Sequence, residues 1–261
     1  MSQWWGERRV EVGTTTRWQI GPLILWIQRL PGEWRVYRTR LEDPLDGTVE
    51  LEERASGEAI PAAASIERFA FQGDSPLLEL AARLPDRPIV SRPRNPFHVP
   101  PGEDLVFFVD SPLWVGLSTM NPRRWLFEMP VFRPSDTWFG PSTNEGELCY
   151  ASRTAGTLQL SDTPIRPHRC LTAVTIRNRA SDELLLDRLK LPVASLALYV
   201  GEDRRIWTQD VSLERHERGD RAQLSIRRSE PALALDPRPL SPARKAESDN
   251  VVARVFNTLF T

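Results

Sequence analysis

The stretch Leu30-Pro-Gly-Glu-Trp-Arg-Val-Tyr-Arg-Thr39 decides how the chain is to be read. Trp34 and Val36 alternate with Arg35 and Tyr37, so the pattern repeats every second residue. Successive side chains of an extended backbone leave opposite faces, and this period of two describes a half-buried strand. Ahead of it, Pro31 and Gly32 supply the chemistry of a turn, and Leu23 to Gln28 form a second apolar run before that turn. Two such runs joined this way predict a β-hairpin.

The same texture continues on both sides. Short apolar segments at Arg9 to Val12, Arg17 to Ile20, Thr48 to Glu52 and Ile66 to Phe71 are set off by Gly, Pro, Asp and Asn. After residue 103 they resume and recur to Ala222–Arg227, with Asn178-Arg-Ala-Ser-Asp182 joining two of them. Strands at this spacing, with no strand–helix alternation, predict an all-β chain of sandwich or barrel type. Six prolines between 85 and 101 break the pattern, and neither a helix interior nor a central strand tolerates that density. The expected organisation is therefore two β-sandwich-like subdomains: a Trp-rich one over 1–90 and a second over 91–230. A Pro-rich tether follows over 231–246. The tail 247–261 carries apolar residues at Val251, Val252, Val255, Phe256, Leu259 and Phe260, which reads as one face of an amphipathic helix capped by Ser248, Asp249 or Asn250.

Composition narrows the function. The 261 residues carry a formal net charge of −1, and only Lys190 and Lys245 are lysines, so 32 of the 34 bases are arginine. A nucleic-acid surface needs clustered positive excess, so no nucleic acid is expected as partner. The opening MSQWWGERRV lacks a basic region followed by an apolar one, and the longest apolar runs fall far short of the ~20 residues of a membrane span. A cytoplasmic location without direct membrane insertion is expected. Two cysteines do not make a disulfide framework.

Chemical motifs are sparse. There is no G-x-S-x-G, H-E-x-x-H, C-x-x-C or G-x-x-x-x-G-K, so no cofactor is expected and the chain does not point to an enzyme. Cys149, His168 and Cys170 combine ligand types that zinc favours, with His168 and Cys170 two residues apart. Core thiols are the competing explanation. The loop Asp136 to Gly146 carries Trp138 and Phe139, rings able to form a contact surface or to plug a sheet edge. Arg123-Arg-Trp125 and Arg204-Arg-Ile-Trp207 set guanidinium groups beside indoles, as cation–π or anion sites do. The tail stripe and the Trp138–Phe139 pair are the candidate partner-binding residues, for a protein partner or for self-association. A hydrolase or carbohydrate-active enzyme with carboxylates in an aromatic cleft is the alternative, and a zinc-containing β protein a further one.

Ser135-Asp-Thr-Trp-Phe-Gly-Pro141, Gly146-Glu-Leu-Cys-Tyr-Ala-Ser152 and Leu171 to Asn178 resemble an uncharacterised prokaryotic family catalogued as domain of unknown function 432. The resemblance runs from about residue 95 to 210. It brings no assigned activity or catalytic residues. Some members are encoded beside small mechanosensitive channels, which implies a channel as a possible partner. The expected function is a binding or regulatory module acting through protein–protein contacts.

Overall fold

A computed structural model describes residues 3–55, 60–71, 75–142, 144–216, 221–245 and 251–254. The chain is all-β; among the described residues the helical elements are two three-residue 3-10 turns, Leu160–Asp162 and Val193–Ser195. It divides into two compact units that interleave in sequence. The first is Met1–Arg83 with Leu113–Phe132 and Arg166–His168; the second is Leu84–Pro112, Arg133–Ile165 and Arg169–Thr261. The expectation of a contiguous division at residue 90 differs from this, because Leu113–Phe132 returns to the first unit.

The first unit holds two antiparallel sheets. In one, Leu23–Leu30 lies between Thr14–Ile20 and Glu33–Arg40, flanked outside by Val49–Ala55 and Ser65–Ala70. Trp34 and Val36 are buried and Arg35 and Tyr37 only half-buried, as alternation requires. Leu23–Ile27 is buried throughout, the pattern of a strand covered on both faces. The other sheet runs Gly6–Arg9, Leu77–Arg83, Trp114–Thr119, Arg124–Pro130. Phe69 of the first sheet stacks on Phe127 of the second, centroids 5.4 Å apart. Trp4 is buried and its Nε1 donates to the Pro167 carbonyl at 2.7 Å.

The second unit is organised around Arg169–Asn178. One edge of that strand pairs antiparallel with Asp104–Pro112 over nine residues. The other edge pairs in parallel, first with Ile206–Thr208 and then with Val211–Arg215. The sheet grows outward through Leu198–Val200 and Arg238–Ser241 on one side, and Arg221–Ile226 and Val251–Arg254 on the other. Asn178, fully buried, ends the central strand by donating from Nδ2 to the carbonyls of Val99 and Asp182, while its Oδ1 accepts from buried Arg215. A smaller sheet runs Asp136–Phe139, Glu147–Ala151, Ile89–Ser91, Leu189–Leu191, and Phe97–Val99 pairs with Leu184–Leu186. The prolines of 85–101 thus punctuate two three-residue strands of this unit.

Two expectations for the tail change. The stretch read as a tether is packed as far as residue 245: Arg238–Ser241 pairs with Leu198–Val200, and the N–H groups of Arg244 and Lys245 both donate to the Ala194 carbonyl. An outer strand needs donors on one side only, so it accepts prolines that a central strand would not. Val251–Arg254, placed in a helix by its spacing, is a strand antiparallel to Arg221–Ile226, with Leu224 opposite Val251 and Arg221 opposite Arg254. β-Branched Val251 and Val252 suit an extended backbone, and the neighbouring strand offers the unpaired ladder they complete. Residues 246–250 and 255–261, including Val255, Phe256, Leu259 and Phe260, lie outside the described residues.

Candidate functional site

Within the second unit, Ile89–Ser91 and Glu147–Ala151 run in parallel, with Tyr150 opposite Ile89 and Ala151 opposite Val90. Beyond the paired residues the two segments stay together: Ser152 N–H donates to the Val90 carbonyl and Gly156 N–H to the Arg92 carbonyl, both at 2.8 Å. Between these two bonds residues 153–155 bow outward. Pro93 has no N–H to extend the ladder. Gly156 passes so close to buried Phe107 that a Cβ there would meet the ring at 2.2 Å. The bow and the segment 92–94 wall a cavity of about 430 Å³, within the ~300–1,000 Å³ of small-molecule sites.

The lining is charged one way. Arg92, Arg94 and Arg153 supply three guanidinium groups, Thr137, Ser152 and Thr154 supply hydroxyls, and Val90, Pro93, Ala151 and Ala155 supply apolar surface. Among the described residues no carboxylate lines it, although the whole chain is slightly acidic. Among the described residues neither Arg92 nor Arg94 has an ion pair or a side-chain hydrogen bond. The hydroxyls are held in place. Ser152 Oγ and Thr154 Oγ1 both donate to the Asp110 carbonyl, at 3.0 and 3.2 Å, and Arg169 Nη2 donates to Thr154 Oγ1 at 2.9 Å. Arg169 is in turn fixed by the Asp110 carboxylate, Nε to Oδ1 at 2.8 Å. Guanidinium groups of this kind offer charge and directed N–H donors that match oxyanions; among the described residues a carboxylate pair for acid–base work is not on the lining.

The family described as "Protein of unknown function (DUF432)" matches residues 4–261. The chain belongs to that family. No curated protein and no solved structure matches it. The match takes in the tryptophan-rich start and the tail, which widens the resemblance read over 95–210: both ends of this DUF432 chain are family sequence. Among the described residues no helix is long and apolar enough to cross a membrane.

The residues singled out in this DUF432 sequence fall in several places. Trp138 is 40% exposed, its Nε1 donating to the Ser142 carbonyl at 3.0 Å and its ring lying on Gly146. Its neighbour Phe139 lies on the opposite face: it is 2% exposed and packs with Val90 and Cys149 in the core, because adjacent strand residues face opposite ways. Cys149 and Cys170 are buried free thiols. Burial, with Glu147 adding repulsion, pushes the Cys149 thiol up to about 12, and burial raises Cys170 as well. His168 precedes the strand and belongs to the first unit, its Nε2 3.2 Å from the Pro44 carbonyl. Among the described residues no three His, Cys, Asp or Glu side chains gather as a metal site. Arg205 does lie over Trp207, at 5.6 Å, whereas Trp125 is faced by Arg83 and Arg124 turns to Phe71. The pocket arginines were not singled out. Their signal is faint: two Ser-Arg pairs, Ser91-Arg-Pro-Arg94 and Ser152-Arg-Thr154, 61 positions apart.

Proposed function

We propose that this chain is a cytoplasmic, non-catalytic binding module that takes a small organic anion in the cavity of its second unit and regulates a protein partner. The observation that carries the reading is the lining itself: three arginines, two of them without ion pairs among the described residues, and no carboxylate. Arginine forks match oxyanions in pairs of N–H donors, and uncompensated guanidinium groups that share one cavity attract a ligand that neutralises them. A hydrolase using paired carboxylates would need them in the cleft, and this one is lined by arginine. The test is calorimetric titration of the whole chain with a panel of small organic anions and their neutral analogues. Anion-selective binding that disappears in Arg92→Ala/Arg94→Ala supports the reading; selection of neutral ligands, or no binding, overturns it.

A surface feature favours a second element, contact with a protein. Trp138 and Leu148 face each other across adjacent strands and are 40% and 44% exposed. Aromatic and aliphatic pairs left in solvent recur at protein interfaces. In this reading the pair, with any contribution from the tail, meets the partner, and a membrane channel is one candidate by family resemblance. Capture of partners from native cells should weaken with Trp138→Ser/Leu148→Ser; unchanged capture removes the hairpin from the interface.

A further inference from the structure

We infer that the anion is a small phosphomonoester, its dianionic phosphoryl group held at Arg92 and Arg94 and its organic part lying on Val90, Pro93 and Ala155. This rests on the anion-binding reading above and names the ligand class. Charge is the first argument. With Arg92 and Arg94 unpaired among the described residues and no carboxylate among the lining residues described, a carboxylate monoanion leaves one of those two charges uncompensated, whereas a phosphomonoester brings close to two negative charges at neutral pH.

Donor count is the second. Among the described residues the backbone N–H groups of Thr154 and Ala155, consecutive in the bow, donate to no acceptor of the chain. Successive free N–H groups in a turn form a concavity for anions. The Ser152 and Thr154 hydroxyls are engaged with the Asp110 carbonyl and with each other, which leaves the backbone N–H groups as the donors the bow has to give. A phosphoryl group has three terminal oxygens to accept from separate donors; a carboxylate has two. Size is the third. A cavity of about 430 Å³ with four apolar lining residues is roomier than a bare oxyanion fills, which leaves space for the organic part.

The test uses isosteric probes on the full chain: phenyl phosphate, a dianion at pH near 7.5, against phenyl sulfate, a monoanion of the same shape, with citrate as a carboxylate control. Phenyl phosphate should bind at least about tenfold more tightly than phenyl sulfate, a difference of roughly 1.4 kcal/mol. That advantage should shrink as pH falls through the phosphoryl pKa of about 6. It should also vanish in Arg92→Ala/Arg94→Ala while the thermal transition of the variant stays where the parent's is. Equal binding of phenyl phosphate and phenyl sulfate overturns the dianion assignment. Binding of citrate without phenyl phosphate overturns the phosphomonoester but keeps the anion site. Binding of none of the three overturns both readings.

Discussion

Arg169 and Asp110 form a buried ion pair on neighbouring strands, with side chains 6% and 13% exposed and Nε 2.8 Å from Oδ1. The same guanidinium reaches the Asp110 carbonyl and the Thr154 hydroxyl through Nη2, at 3.0 and 2.9 Å. The central strand pair of the second unit is thereby tied to the bow that walls the cavity. Removing one partner of such a pair leaves a charge without compensation, which costs about 3–5 kcal/mol. Asp110→Ala should therefore lower the free energy of unfolding by about that much in a denaturant titration. Arg169→Lys should cost less stability yet weaken anion binding, because an ammonium cannot hold Asp110 and Thr154 together.

Gly156 sets the cavity in a different way. Its backbone lies against the buried Phe107 ring, and a methyl at Gly156 would overlap the ring carbons. Overpacking of a filled core costs about 1–3 kcal/mol. Gly156→Ala should lose that amount in thermal unfolding and should also weaken ligand binding, since Gly156 N–H holds the Arg92 carbonyl. Gly47→Ala, at a position with open space around it, serves as the control and should change neither.

Most of the architecture was written in local pattern, and most of the site was not. Trp34 and Val36 declare their strand because burial of one face is a period-two property of neighbouring residues. The pocket is a property of the pairing between Ile89–Ser91 and Glu147–Ala151, and nothing within either segment announces the other. Phe139 shows the limit from the other side: composition marks the loop as aromatic, but only its phase relative to Trp138 decides which ring enters the core. The tail misled for a related reason. Paired apolar residues four apart fit a helix, yet Val251–Arg254 meets an open strand edge far away in sequence. Long-range pairing overrides a weak local propensity. The prolines of 231–242 likewise suit an outer strand as well as a free tether, and only the partner strand Leu198–Val200 distinguishes the two.

Acid should expose the role of Glu33. Hydrogen bonds from Arg68 and then Arg35, the latter at 3.0 and 3.2 Å, hold its carboxyl down at about 2 against an ordinary 4.5. A lowered folded-state value means stability that is present above pH 4.5 and is lost as pH falls toward 2. The stability difference between the parent and Glu33→Gln should be constant above pH 4.5 and should close as pH drops toward 2. A difference that stays constant across that range would remove the ion pairs as its cause.

Alkali should act through the thiols in the opposite direction. Burial carries Cys149 from 9.0 to about 12 and raises Cys170 too. A raised folded-state value contributes stability that is intact below pH 9 and is lost as pH climbs toward 12, because only the unfolded chain ionises in that window. The folded protein should therefore resist thiol-modifying reagents near pH 8, where thiolate is the reactive form, and both cysteines should react once denaturant unfolds the chain. Cys149→Ser should flatten the alkaline loss. Rapid modification of Cys149 in the native state would contradict its place beside Val90 and Phe139.

The tail can be tested at its partner strand. Val251–Arg254 covers Arg221–Ile226 in register, Ala222 opposite Ala253 and Gln223 opposite Val252. Amides in a two-sided ladder exchange with solvent only when the ladder opens, whereas those of an outer strand exchange more readily. Deleting 246–261 should raise hydrogen exchange in Arg221–Ile226 with little change in Asp104–Pro112, which pairs with the central strand instead. It also bares a strand edge, so the truncated chain should associate more readily at high concentration than the full one. Exchange in Arg221–Ile226 that is the same with and without the tail would mean that the pairing does not protect this edge, and the tail's role would have to be sought elsewhere.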